Sequence, residues 1–266
     1  MRSRPGSSAG ATCKGHRMEI AVLGGTGPAG SGNFYPNPSK FDEIRAIAFD
    51  LDDTLLDTTN LIVPHSVQES YRILIAGGIE INAAEMEKIR EEKIKSTSHR
   101  EIFKALAEQY HLKNPAALDR AIEAFYTPQV PPSLPLLPDA VENLAYLKDH
   151  YSLYLVTSGQ FQTQSNKIRS MGIKSYFRDI YIIDGMRFKK KREAFLDIIE
   201  REKISPQQLL SVGNRLASEI RDGKIVGAQT CYFCYGEHVG EKPEQAEDHP
   251  DYTVFRHSEI IRTCNL

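Results

Sequence analysis

From residue 136 to the C-terminus, short apolar segments alternate with helical stretches of ten or so residues. "YSLYLVTSG", "DIYIID", "QLLSVGN" and "QTCYFC" have the length and content of strands, and a late "DYTVF" adds another. Between them, "DAVENLAYLKDH", "QSNKIRSMGI", "REAFLDIIERE" and "ASEIRDGKIVG" carry apolar residues at helical spacing. A helix between successive strands leaves room for a crossover, and crossovers are right-handed and join parallel strands. One more strand lies far upstream, in "IRAIAF" at residues 44–49. Its nearly continuous apolar run suits a parallel strand covered on both faces.

What separates that first strand from the rest is all helical. "SVQESYRILIAGG" ends at Gly77–Gly78, "NAAEMEKIREEKIK" opens at Asn82, and "HREIFKALAEQYH" and "AALDRAIEAFY" follow. "TPQVPPSLPLLP" holds five prolines in twelve residues and reads as a semi-rigid linker. The pattern predicts an α/β fold: a Rossmann-like parallel sheet with helices on both faces plus an inserted α-helical cap. Its core is residues 41–60 and 136–266, and the insertion is 61–135. Residues 1–40 are expected to be a flexible leader, basic and rich in small residues at the start, without the apolar centre of a signal peptide.

Two motifs invite other readings. Gly25, Gly27 and Gly30 in "GGTGPAG" match the G-x-G-x-x-G of a dinucleotide-binding turn. That turn needs a following helix to hold the pyrophosphate, and Pro36 and Pro38 interrupt the chain where the helix should run. Cys231 and Cys234 form a lone C-x-x-C with only His238 nearby. In a strand, residues three apart point to opposite faces, so a zinc or redox pair is not expected. Four cysteines in 266 residues without a secretory signal suit a reducing compartment, so a cytoplasmic location is expected. A net charge of −2 offers no basic excess for nucleic acid, and no apolar run of membrane-spanning length occurs.

The polar strand endings share one rim if the sheet is parallel, and ligands gather at that rim. They are Asp50-Leu51-Asp52 after the first strand, Thr157-Ser158-Gly159 after the second, and Gly213-Asn214 after a later one. Asp50, Asp52, Asp53 and Asp57 crowd into eight residues. A calcium loop does not fit, because Leu55 and Leu61 occupy the positions that need Gly and Glu. A cation among the carboxylates would relieve their repulsion, and Mg²⁺ with a substrate phosphate suits oxygen ligands. A carboxylate can also attack a phosphoryl group, given an acid, a hydroxyl and a cation to assist.

From about residue 44 onward the chain resembles the haloacid dehalogenase superfamily of aspartate-nucleophile hydrolases. The resemblance rests on "FDLDDTL", "LYLVTSG", a lysine ahead of the helix in "FKKKREAF", and "SVGNRLASEI", in that order. It implies Asp50 as nucleophile and metal ligand, and Asp52 as acid/base and ligand through its backbone carbonyl. Thr157 and Ser158 would bind the phosphoryl group, and Lys191 would neutralise it, with Lys189 and Lys190 as alternatives. Asn214 and Glu219 would complete the metal shell. The helical insertion resembles the family's C1 cap. Asp53 and Asp57 are expected in turn and helix-start roles.

The fourth motif departs from the family. Asn214 stands where an Asp usually binds the metal, so weaker Mg²⁺ binding is expected. The resulting expectation is a Mg²⁺-dependent phosphatase of a small phosphorylated metabolite. The alternative is a catalytically weak relative that binds a phosphorylated ligand or partner.

Overall fold

The computed structural model describes residues 43–266; the glycine-rich "GGTGPAG" stretch and the rest of the expected leader lie outside them. Six strands form one sheet: β1 Ala46–Phe49, β2 Ser152–Ser158, β3 Asp179–Ile183, β4 Leu209–Gly213, β5 Gln229–Phe233 and β6 Tyr252–Val254. The order across the sheet is β3-β2-β1-β4-β5-β6, and every neighbouring pair is parallel. β1 is therefore central, flanked by β2 and β4, which is why it reads as a nearly unbroken apolar run.

Alternate residues of each strand feed two helical layers. Ile47 and Phe49 of β1, with Leu153, Leu155, Leu210 and Val212, face α6 (Ala140–His150), α7 (Phe161–Met171) and α10 (His257–Thr263). Ala46 and Ala48, with Tyr154, Val156 and Tyr181, face α8 (Lys191–Glu202) through Phe195 and Ile198. The small alanines of β1 leave room for those larger side chains. Burying both faces supplies the main driving force for the sheet, at roughly 25 cal/mol per Å² of apolar surface removed from water.

Between β1 and β2 lie α1 (Thr58–Leu61), α2 (Val63–Ala76), α3 (Ala83–Lys93), α4 (His99–Gln109) and α5 (Ala116–Tyr126). This block has an apolar centre of its own, built from Val67, Tyr71, Leu74, Met86, Ile102, Phe103, Leu106 and Ile122. Asn82 and Ser98 cap α3 and α4 by accepting from the backbone N–H three residues on. The helical block begins at Thr58, three residues ahead of the expected boundary at 61. Asp57 caps α1, and Pro64 occupies the first turn of α2, where its missing N–H has no partner to lose.

The proline-rich segment has no regular structure, yet it is anchored. Leu134 and Leu137 are buried against the sheet's core, and the Leu137 N–H donates to the Leu55 carbonyl at 2.8 Å. After β4 the expected helix "ASEIRDGKIVG" starts instead as a π-helical turn, Leu216–Ile220, before α9 (Arg221–Val226). The wider turn accompanies Glu219 folding back over Gly213. A Cβ on Gly213 would lie 2.2 Å from the Glu219 side chain, so only glycine admits that approach. Cys231 packs into the α6/α10 layer, whereas Cys234 packs beside Leu216, Ile220 and Tyr232. The two thiols thus diverge, and both are free. No helix among the described residues is long and apolar enough to cross a membrane.

Candidate active site

The parallel register brings the strand ends together. Phe49 pairs with Leu155 on one side and Val212 on the other, and the Asp50 N–H donates to the Val212 carbonyl at 2.9 Å. Asp50 therefore emerges between the ends of β2 and β4, beside Thr157 and Asn214. All three are buried. Asp50, Asp52, Ser158, Lys191, Asn214 and Glu219 open on one cavity of about 400 Å³. Its far wall comes from the helical block, through Ile62, Val63, Ser66, His99, Phe125 and Tyr126.

At the floor, Lys191 lies at the N-terminus of α8, and its ammonium contacts Asp50 Oδ1 at 2.5 Å and Glu219 Oε1. Of the three consecutive lysines, Lys189 and Lys190 are exposed, and Lys191 is 2% exposed. One cation thus stands between two buried carboxylates, leaving one negative charge uncompensated. Burial pushes the Asp50 carboxyl up to about 7 against the pull of Lys191, and the Glu219 and Asp52 charges add to the rise. Burial opposes ionisation of Glu219 as well, but Lys191 outweighs it and holds that group below the usual carboxylate range. Lys191 is raised by its two partners although burial works against its charge.

Asp52 faces the cavity with 29% of its side chain exposed. Its Oδ1 accepts from Thr58 Oγ1 at 2.5 Å and Lys167 Nζ at 2.6 Å, and its Oδ2 from Gln164 Nε2 at 2.8 Å. Burial alone would raise its pKa, but Lys167 and these hydrogen bonds bring it below the ordinary value. Gln164 Nε2 also donates to Thr157 Oγ1 at 2.6 Å; Thr157 is fully buried and, unlike Ser158 and Gln164, does not line the cavity. Gln164 and Lys167 were not among the residues singled out from sequence. The available signal was their position: with Ile168 and Met171 they lie on the buried face of α7.

Asp53 and Asp57 stand apart from these contacts. Asp53 has a positive φ of 53° and accepts from the Thr59 N–H and hydroxyl at 2.9 and 2.7 Å. Thr59 Oγ1 in turn accepts from the Glu237 N–H at 3.0 Å. Gly236, at φ +79°, allows this close approach, since a Cβ there would meet Asp53 Oδ2 at 2.2 Å. Asp57 is the cap of α1.

Asn214 is oriented by its amide: Nδ2 donates to the Tyr235 carbonyl at 3.3 Å, leaving Oδ1 as the free acceptor. Asp50 and Asn214 both line the cavity and offer oxygen donors of the kind Mg²⁺ takes. No group of three or more His, Cys, Asp or Glu side chains fit to hold a metal occurs among the described residues. The uncompensated charge around Lys191 is what a cation would relieve, so the residues present fit one in kind.

A sequence profile of the haloacid dehalogenase-like hydrolases matches residues 47–233, from the middle of β1 to the end of β5. The chain belongs to this family. Among similar hydrolases is the HAD-hydrolase YfnB of Bacillus subtilis, 25% identical over 238 residues, covering 84% of this chain and 96% of that protein. A glyceraldehyde 3-phosphate phosphatase of Methanopyrus kandleri is 27% identical over 225 residues, covering 82% and 96%. A crystal structure of YfnB with bound magnesium superposes with a TM-score of 0.59 at 23% identity, covering 84% of this chain and all of that one. That likeness shows the fold of the hydrolase.

Proposed function

We propose that this hydrolase is a Mg²⁺-dependent phosphatase of a small phosphorylated metabolite, working through a phosphorylated Asp50. The observation that carries the reading is the convergence of Asp50, Asp52, Thr157 and Lys191 from three separate chain segments. The names of relatives agree with it, since they include a glyceraldehyde 3-phosphate phosphatase and a pyrimidine 5′-nucleotidase. A cavity of about 400 Å³ suits a metabolite rather than a macromolecule.

In this reading an Asp50 carboxylate oxygen forms a bond to phosphorus as the ester P–O bond breaks. Asp52, once protonated, delivers its proton to the departing alcohol oxygen. In the second half it acts as a carboxylate, the form that Lys167 favours, taking a proton from the water that attacks the aspartyl-phosphate. The Thr157 hydroxyl and the Lys191 ammonium hold the phosphoryl oxygens, with Ser158 at the cavity's edge. Mg²⁺, held by Asp50, the Asp52 carbonyl and Asn214 with Glu219 behind them, would compensate the negative charge on phosphate and nucleophile. Residues 61–135 serve as a cap over this pocket, and His99 and Phe125, stacked with centroids 4.0 Å apart, form part of its ceiling.

The test is hydrolysis of a panel of phosphomonoesters with and without Mg²⁺, using the natural chain and Asp50→Asn. Loss of turnover in the folded variant is expected; retained turnover refutes the mechanism. The second reading, a weak enzyme that chiefly binds a phosphorylated ligand, is favoured by Asn214 alone. It predicts ligand protection against thermal unfolding with negligible hydrolysis across the panel.

A further inference from the structure

The acid/base pair of contacts on Asp52 includes two residues that the mechanism above does not use. Gln164 and Lys167 stand three apart on α7, so they share a face of that helix. Gln164 is 1% exposed and Lys167 5% exposed. Lysine is almost never so deeply buried unless it is paired. The partner is Asp52, on a different element and 115 residues away in sequence. Gln164 grips the other carboxylate oxygen, so the two side chains hold Asp52 at both ends, and Thr58 closes the third contact.

We infer that Lys167 is a positioning residue, assisted by Gln164, that fixes the Asp52 carboxyl where it serves the leaving-group oxygen. The inference rests on Asp52 acting as the acid/base. A carboxyl on a short loop has free rotation about two bonds, and contacts at both oxygens restrict it to one orientation before substrate arrives. Because Gln164 joins Asp52 to Thr157, the orientation is set relative to the hydroxyl that would hold the phosphoryl group. Acid/base group and phosphoryl site are thus referenced to one rigid helix rather than to the loop alone. Geometric control of this kind governs how much of a proton transfer's benefit is realised.

The test separates proton delivery from general damage by changing the leaving group. Phenyl phosphate and 4-nitrophenyl phosphate are nearly the same size, but the nitrophenolate departs with little need of a proton. Single-turnover release of each phenol, with enzyme in excess, reads the first half-reaction only. Rates are compared at the maximum of each enzyme's pH–rate profile, so that the change in Asp52 protonation on losing the Lys167 charge does not enter. Lys167→Met is then expected to slow phenyl phosphate about tenfold more than 4-nitrophenyl phosphate, a part of the 10²–10⁴-fold a positioned acid contributes. Lys167→Arg keeps the charge and is expected to show the same selectivity in smaller measure, which also covers the case that the methionine variant does not fold. Equal losses on both esters, or no loss on either, overturn the assignment for Lys167. Asp52→Asn serves as the reference. If it too shows no selectivity while the natural chain turns over both esters, the acid/base reading of Asp52 itself fails. If it is selective and the Lys167 variants are not, only the positioning role fails.

Discussion

Replacing Lys191 with methionine removes the cation between Asp50 and Glu219 while keeping most of the side chain's volume. The side chains of Lys191, Asp50 and Glu219 are 2%, 7% and 3% exposed, so water cannot take over the ammonium's role. Breaking a buried pair by deleting one partner typically costs 3–5 kcal/mol, because a buried charge is left unmatched, and here two carboxylates are stranded. We expect Lys191→Met to lower unfolding free energy by about 3–5 kcal/mol at pH 8 without added Mg²⁺. With a urea m-value of roughly 2.5 kcal/mol/M, the midpoint falls by roughly 1–2 M. The loss must also depend on pH. Without Lys191 the Asp50 carboxyl rises further above its unfolded value and Glu219 loses the cation that holds it below the usual range, so the folded form binds protons that the unfolded form releases. A group raised in this way contributes stability below its unfolded pKa and loses it as pH rises through the folded one. The deficit should therefore be about 1–2 kcal/mol smaller at pH 5.5 than at pH 8. Urea titrations followed by circular dichroism at both pH values measure it. A deficit below 1 kcal/mol, or one that is unchanged by pH, refutes the account of the buried triad.

Other consequences are open to the same kind of test. Asn214→Asp adds a charge to the proposed ligand set and should tighten Mg²⁺ binding on the order of 10–100-fold, read from Mg²⁺-dependent thermal stabilisation. His99 is driven down to about 3 by burial, then by Arg90 and His238, so it folds in the neutral form. Its folded pKa lies below the unfolded value of 6.5, so its share of stability is complete above 6.5 and is lost as pH falls toward 3. Between pH 6.5 and 4.5 the natural chain should lose about 2–3 kcal/mol more than His99→Gln, as compared by urea titration. Gly236→Ala strains a positive φ and pushes a methyl into Asp53, so a loss of about 2 kcal/mol or more is expected in thermal unfolding.

The parallel sheet was legible because each strand's composition carried its environment: "AIAF", the whole of β1, is apolar throughout since β1 lies at the sheet's centre, between β2 and β4. The rim was legible because its polar residues follow immediately on apolar strands, and parallel strands place such endings side by side. Local rules failed where a tertiary contact decides the backbone. Nothing within "LASEI" announces a π-helical turn, since its cause is Glu219 returning to Lys191 and covering Gly213. The choice among Lys189, Lys190 and Lys191 depends on helix phase, which a run of identical residues conceals. Lys167 and Gln164 were concealed in another way. A polar residue on a helix's buried face is visible in the pattern, but its partner, 112 or 115 residues distant, is not.

The central claim concerns which atom receives phosphorus, and locating the phosphoryl group during turnover tests it most directly. Enzyme at saturating phosphomonoester and Mg²⁺ is quenched in acid, and the trapped acyl phosphate is reduced with borohydride before peptide mass mapping. Conversion of Asp50 to homoserine, absent in Asp50→Asn, is the predicted result. Trapping on any other residue, or continued hydrolysis by folded Asp50→Asn, would contradict the mechanism.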